Sequence, residues 1–355
     1  MNGLKRKPAY SEKELRVIDQ KPGFMGMAPP TDLFDTPVSV RENMNSHYFD
    51  KDPWYCATLR DTTSLQLKDY AENLSRPHGH DSVDFFGVPW KWVESAGGSI
   101  TPGGNPRFED ANEWRDVITI PDVDSWDWEG MAKDFRFDPR FSRIFTFLNG
   151  FWFERLISLM DFENAAMALV DPEQEDAVHD LFGAMTDMGI KLVDKICEYF
   201  PGIDGFTVHD DWGAQKAPFF SDQVARDYFL PYMKDFVGHI HSKGRYCVIH
   251  SCGKIEDRIH IFVEAGIDGW EMMNINDVRK LYTEFGEQLC FQAWPHTFDV
   301  EDDQAAKEAA REFVDFFCHP GKPAMLGMGY REALGCKVFM EEVYEYSRKR
   351  YLGLV

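Results

Sequence analysis

Two short apolar runs, Phe206–Val208 and Tyr246–Ile249, flank a long amphipathic segment, and each breaks off into polar residues. The runs have the length of buried strands. The segment between them, PFFSDQVARDYFLPYMKDFVGHIHSKG, is long enough for the crossover helix of a βαβ unit. Downstream the alternation continues. The pattern predicts a helix in IEDRIHIFVEAG stopped by Gly266, a strand at Gly269–Met273 and a helix at Asn276–Phe285. A strand at Gln288–Ala293, a helix at Asp303–Cys318, a strand at Pro323–Met328 and a closing helix at Val338–Tyr351 follow. At least four βα units after residue 200 favour a parallel sheet, open or closed into a barrel.

Upstream the signals are more mixed. Helical spacing starts at Asp138-Pro139 and runs through RIFTFLNGFWFERLISLM, and a second helix opens at Asp171-Pro172-Glu173 and ends at Pro201-Gly202. Residues 81–107 combine aromatic strand formers with AGG and PGGN turn signals and predict a hairpin. A Trp- and Asp-rich connection fills 120–131. The first 45 residues are polar and broken by prolines, with a helix start in Thr36–Asn45 that places Pro37 near its first turn. No composition break marks a linker, so the expectation is one domain over 81–355, with 1–80 an arm and helices packed on it.

With 355 residues, 44% of them hydrophobic, the chain can build a large core. A net charge of −22 argues against nucleic acid or an anionic membrane as partner, since both need basic surface. Seven dispersed cysteines without CxxC pairs fit free thiols in a reducing compartment. The charged N-terminus has no apolar core of a signal peptide, and no run approaches the ~20 apolar residues that span a bilayer. A cytoplasmic location is expected.

The strand ends carry the candidate chemistry: His209–Asp211, His250–Cys252, Glu271–Asn274, Gln292–His296 and Met328–Arg331. In a parallel sheet the C-terminal edges of neighbouring strands converge on one mouth. His250 and Cys252 are two apart, so on an extended strand end both face the same way and form a soft ligand pair for zinc. The competing reading is a core histidine beside a buried thiol. Asp210 and Asp211 can hold a proton or orient a substrate hydroxyl; equally, one of them can cap a helix while the other faces the pocket. His209, Trp212, Gln292, Trp294, His296 and Met328 are placed to line a pocket for a flat substrate. A second HxH pair, His78 and His80, lies far upstream and reads as a surface loop.

Taken together, DDWGAQ, YFLPYMKDFVGHIHSKG, VIHSCGK and FVEAGIDGWEMMN resemble the uroporphyrinogen decarboxylase superfamily, and the likeness runs through FFGVPWKWVE and FERLISLMDFENAAMALVDPEQ over roughly residues 80–350. The resemblance implies an α/β fold of the (β/α)8 TIM-barrel type with an N-terminal extension. The decarboxylase branch carries an arginine-rich motif near its N-terminus, whereas the corresponding region here offers only Arg41. The other large branch comprises corrinoid-dependent methyltransferases that use zinc to activate a heteroatom, and their HxC pair looks like His250 and Cys252. The third ligand expected from the resemblance is Glu271, with Glu256 also at a suitable position. Gln292, a poor zinc ligand with His296 close by, takes the next ligand position, and Met328 stands where some members have cysteine, with Cys336 eight residues later. The implied function is transfer of a methyl group from a methoxylated aromatic compound, by O-demethylation, to cob(I)alamin on a partner corrinoid protein. A homodimer is compatible with this reading. Two other readings stay open: a metal-independent decarboxylase-like enzyme using Asp211 and His250, and a non-catalytic barrel that binds a ligand or a corrinoid protein.

Overall fold

The computed structural model describes residues 7–23, 30–68, 70, 79–96, 98–327 and 329–355. They form two compact units, one of Ser64–Phe137 and Ile144–Ile267, the other of Met1–Thr63, Asp138–Arg143 and Asp268–Val355. Among the described residues, no helix is long and apolar enough to cross a membrane.

In the first unit, the strand Ser142–Phe147 pairs in parallel with Gly205–His209, which pairs in parallel with Tyr246–His250. The last two strands are buried along four of their five residues, residues of both faces among them, and this is why they read as unbroken apolar runs. The helices Phe153–Ala168, Glu175–Tyr199, Leu230–Ser242 and Ile259–Ala265 belong to the same unit. Phe147, Phe151, Phe206 and Phe236 interlock beneath the strands, with ring centroids 4.9 to 6.0 Å apart for the pairs Phe147–Phe151, Phe147–Phe206 and Phe147–Phe236. The crossover helix begins later than its apolar pattern: Ser221 caps a first turn, Ala225–Phe229 winds as a π-helical turn, and Pro231 sits in the first turn of the regular helix. Ile259–Ala265 stops at Gly266, which adopts φ +84° as the C-cap.

One expectation is corrected here. The apolar spacing from Asp138 onward is not one helix: Ser142–Phe147 is a strand, and the helix begins only at Phe153. The stretch SRIFTF is buried on both faces, so it lacks the alternation of a half-exposed strand and imitates a helical stripe. The segment 81–107 does form the predicted antiparallel structure, with strands Ser82–Val83, Pro89–Val93 and Gly98–Ile100. Its Asp84 carboxylate accepts from the Phe86 and Val88 N–H groups and from Trp90 Nε1, and meets Arg155 Nη1 at 3.2 Å with both side chains buried.

In the second unit, Gly269–Glu271, Cys290–Ala293 and Met325–Leu326 pair in parallel in that order. The helices Val278–Phe285, Asp303–Phe317 and Lys337–Tyr351 follow the pattern read from the sequence within a few residues. The strand expected at Pro323–Met328 is interrupted, forming Lys322–Pro323 and Met325–Leu326. The N-terminal helix is Val40–Phe49 with Ser39 as its cap, so Pro37 precedes the helix instead of opening it. The arm before it is fastened by Glu14, whose buried carboxylate meets Arg348 Nε at 3.1 Å and accepts from Tyr344 Oη at 2.7 Å.

Candidate functional site

Register brings the first pair of site residues together. His209 and His250 close adjacent parallel strands and are direct partners in the ladder. Side chains at one level on one face of such strands are neighbours. Their imidazole rings stack with centroids 4.3 Å apart and planes 16° from parallel. Two residues past each histidine the chain supplies one more donor. Cys252 Sγ lies 3.2 Å from His250 Nε2, and Asp211 Oδ1 lies 3.8 Å from the same nitrogen. Asp211 Oδ1 also accepts the backbone N–H of Cys252 at 2.6 Å, which fixes the carboxylate against the neighbouring loop.

The two loops are locked to each other along their length. The Asp210 N–H donates to the His250 carbonyl at 3.0 Å, Trp212 N–H to Ser251 Oγ at 3.0 Å, and Lys254 N–H to the Ala214 carbonyl at 2.8 Å. Gly253 sits at φ +90°, and a Cβ there would overlap the backbone of Gly213. Only glycine permits that backbone contact. Gly150, at φ +56°, lets the turn after Phe147 pass close to the His209 carbonyl, where a Cβ would stand 2.6 Å from the oxygen.

The adjacent acids take different roles. Asp210 is fully buried, and its oxygens accept from Glu154 N–H at 2.8 Å, Phe153 N–H at 3.3 Å and Trp212 Nε1 at 2.7 Å. It therefore caps the helix Phe153–Ala168, meeting donors that the helix itself cannot satisfy. Burial pushes its carboxyl well above the usual range, and these donors oppose the shift. Asp210, expected to handle a proton, has both oxygens accepting from protein donors and is buried away from solvent. Trp212 is likewise buried, packed on Phe220, Phe229 and Phe262, and it belongs to the core, not to a pocket wall. Asp211 is the acid that faces the histidines.

A further participant was not read from the sequence. Glu154 Oε2 meets His209 Nδ1 at 2.6 Å. Nothing local signals this contact, which follows from the Asp210 cap bringing the first turn of the helix against the strand end.

His209, Asp211 and His250 each offer one ligand atom, all within 4.8 Å of one another, with Cys252 alongside. In a tetrahedral zinc site, metal bonds of about 2.0–2.3 Å hold neighbouring ligand atoms roughly 3.5 Å apart. The two imidazoles and the carboxylate lie close enough together to share such an ion, and Cys252, which is outside that group of three, stands 3.2 Å from His250 Nε2. Burial pushes the Cys252 thiol up, while His250 acts in the opposite direction.

Of the remaining predicted residues, Glu271, Gln292, Trp294, His296 and Cys336 belong to the second unit, and Glu256 and His80 to the first. Glu271 ends its strand level with Gln292 on the next. Gln292 is buried; its Nε2 donates to Tyr48 Oη at 3.4 Å, and its Oε1 has no hydrogen-bond partner among the described residues. Trp294 is half-buried against Gly327 and Gly329, each too close to it to carry a Cβ without a shift. His296 is exposed and faces Glu312 at 3.3 Å. Cys336 directs its thiol to the Val300 carbonyl, and Glu256 pairs with Lys254. His80 Nδ1 lies 2.8 Å from the adjacent Asp81 carbonyl in an exposed turn. Met328 and His78 lie outside the described residues.

The sequence profile of the family described as Uroporphyrinogen decarboxylase (URO-D) matches residues 153–342, a span that includes Glu154, both histidines, Asp211 and Cys252. No curated protein matches the chain. Among solved structures, a methyltransferase from Methanosarcina mazei is similar, with a TM-score of 0.47 and 14% identity over 69% of this chain and 72% of that one.

Proposed function

The chain belongs to the uroporphyrinogen decarboxylase family, and from that premise we propose that it is a (β/α)8-barrel methyltransferase. It takes a methyl group from a methoxylated aromatic compound and delivers it to a corrinoid carried by a partner protein. The observation that carries this reading is the pairing of His250 Nε2 with Cys252 Sγ at 3.2 Å on a strand end. A nitrogen–thiolate pair is a ligand set for zinc or a similarly soft divalent ion.

A zinc ion held there supplies Lewis acidity to an ether oxygen, making the phenolate a better leaving group. The protein's own contribution is order. The stacked His209 and His250 rings hold each other's orientation, and the interlocked loops keep Cys252 and Asp211 at a fixed distance from His250. Asp210, by capping the neighbouring helix, holds the loop that presents Asp211.

A second reading is favoured by the 3.8 Å approach of Asp211 to His250. In it His250 donates a proton, Asp211 stabilises developing positive charge, and no metal takes part. Metal analysis of the purified protein separates the two. About one zinc per chain, lost in Cys252→Ala, supports the methyltransferase, and demethylation of methoxylated arenes with a corrinoid protein present then tests its substrate class. No bound zinc in the wild type favours proton chemistry.

A further inference from the structure

We infer that His209 and Asp211 complete the metal centre with His250 and Cys252, and that Glu154 is the residue that positions His209 for it. The inference rests on the metal-assisted reading above and goes beyond it by naming a ligand set drawn wholly from one compact unit. Glu271 is then not a ligand.

Three observations carry it. First, the ligand atoms of His209, Asp211 and His250 already lie within 4.8 Å of one another, so a cation needs only the two stacked rings to tilt until both lone pairs meet it. Second, each donor is held from behind. Asp211 is fixed by the Cys252 N–H at 2.6 Å, and the two rings are fixed by stacking and by the ladder register His209↔His250. Third, Glu154 accepts the Nδ1–H of His209 at 2.6 Å. That hydrogen bond selects the tautomer whose Nε2 carries the lone pair and raises its basicity. A carboxylate behind a metal-binding histidine has this effect in metal sites generally.

The donor chemistry sets the class of ion. Two imidazoles and a thiolate with a single carboxylate favour a borderline or soft divalent cation such as zinc, and disfavour magnesium or calcium, which select oxygen.

The test is zinc titration of the full chain, with excess magnesium present, on the wild type, Asp211→Asn, His209→Ala, Glu154→Gln and Glu271→Gln. Cobalt(II) absorption is read in parallel, because its thiolate charge-transfer and ligand-field bands report ligand type and geometry. Asp211→Asn keeps an oxygen for the Cys252 N–H, so its loop stays folded; urea midpoints check each variant. The expected result has Glu154→Gln weakening zinc binding by about 10- to 100-fold with the cobalt thiolate band retained. Asp211→Asn and His209→Ala weaken binding further and change the ligand-field bands, while Glu271→Gln binds as the wild type does. Zinc binding that survives in Asp211→Asn and His209→Ala but fails in Glu271→Gln overturns this ligand set and leaves the metal-assisted reading standing. A wild type that binds no zinc overturns both.

Discussion

Asp210 Oδ1 accepts the backbone N–H of Glu154 at 2.8 Å, so a residue in the loop after one strand caps the helix that follows the neighbouring strand. The carboxylate also holds Phe153 N–H and Trp212 Nε1 and is sealed from solvent. Asp210→Ala leaves three buried donors without an acceptor, and an expected loss of about 2–4 kcal/mol follows from the unmade hydrogen bonds and the missing cap. Asp210→Asn is no rescue, because its amide NH2 turns a donor toward donors. Urea denaturation of the two variants measures this. Wild-type stability in Asp210→Asn would remove the capping role.

His47 makes stability depend on pH. It is fully buried, its Nδ1 lies 2.9 Å from the Asn43 carbonyl, and its Nε2 accepts the Ala57 N–H at 3.4 Å. Burial, the largest cause, lowers its pKa from 6.5 to about 4. The unfolded chain therefore binds a proton at a higher pH than the folded one. The stability contributed by neutral His47 is complete above pH 6.5 and is lost as pH falls toward 4. By pH 5 the loss is roughly 2 kcal/mol. Urea midpoints at pH 7 and pH 5 for the wild type and His47→Gln are expected to show a shallower pH dependence in the variant. Equal slopes would assign the effect elsewhere.

Two glycines invite opposite outcomes on substitution by alanine. Gly253 has φ +90° and no room for a Cβ against Gly213, so Gly253→Ala must part the two site loops. A loss of at least about 3 kcal/mol, or failure to fold, is expected, since backbone strain and overlap combine. Gly238 lies exposed in the helix Leu230–Ser242 with open space at its Cβ position. Gly238→Ala is expected to stabilise by up to about 1 kcal/mol. Thermal melting of both variants checks the pair.

Arg155 and Asp84 form a buried ion pair that joins the antiparallel segment to the helix Phe153–Ala168. Burial lowers the Arg155 pKa to about 10 and raises that of Asp84 to about 6. Arg155→Met strands the carboxylate and is expected to cost about 3–5 kcal/mol. Adding Asp84→Asn recovers part of this, because no unpaired charge is then left. A double-mutant cycle measures the coupling, and strictly additive losses would contradict it.

What could be read from the sequence depended on how local its cause was. The strands Gly205–His209 and Tyr246–His250 declare themselves because burial on both faces yields apolar runs with polar ends. The nearness of His250 and Cys252 follows from their spacing on an extended chain. SRIFTF is equally buried but continues into another apolar segment, so its strand was hidden inside a helical pattern. The division of labour between Asp210 and Asp211 has no local signature, because the donors that claim Asp210 sit more than fifty residues earlier. The same distance conceals Glu154, which is an ordinary first-turn acid until the cap draws its helix against His209.

The contact of Glu14 with Arg348 and Tyr344 bears on the order in which the protein is made. Glu14 is synthesised 330 residues before Tyr344 and 334 before Arg348, so the contact must wait until both have emerged. At roughly 5–20 residues per second, that interval is on the order of tens of seconds. The unit containing His209 and His250 ends at Ile267 and is fully synthesised earlier. The ribosome thus delivers the unit that bears the two histidines before the partner helix of the arm. Until Arg348 emerges, the segment around Glu14 lacks the cation that its folded position supplies.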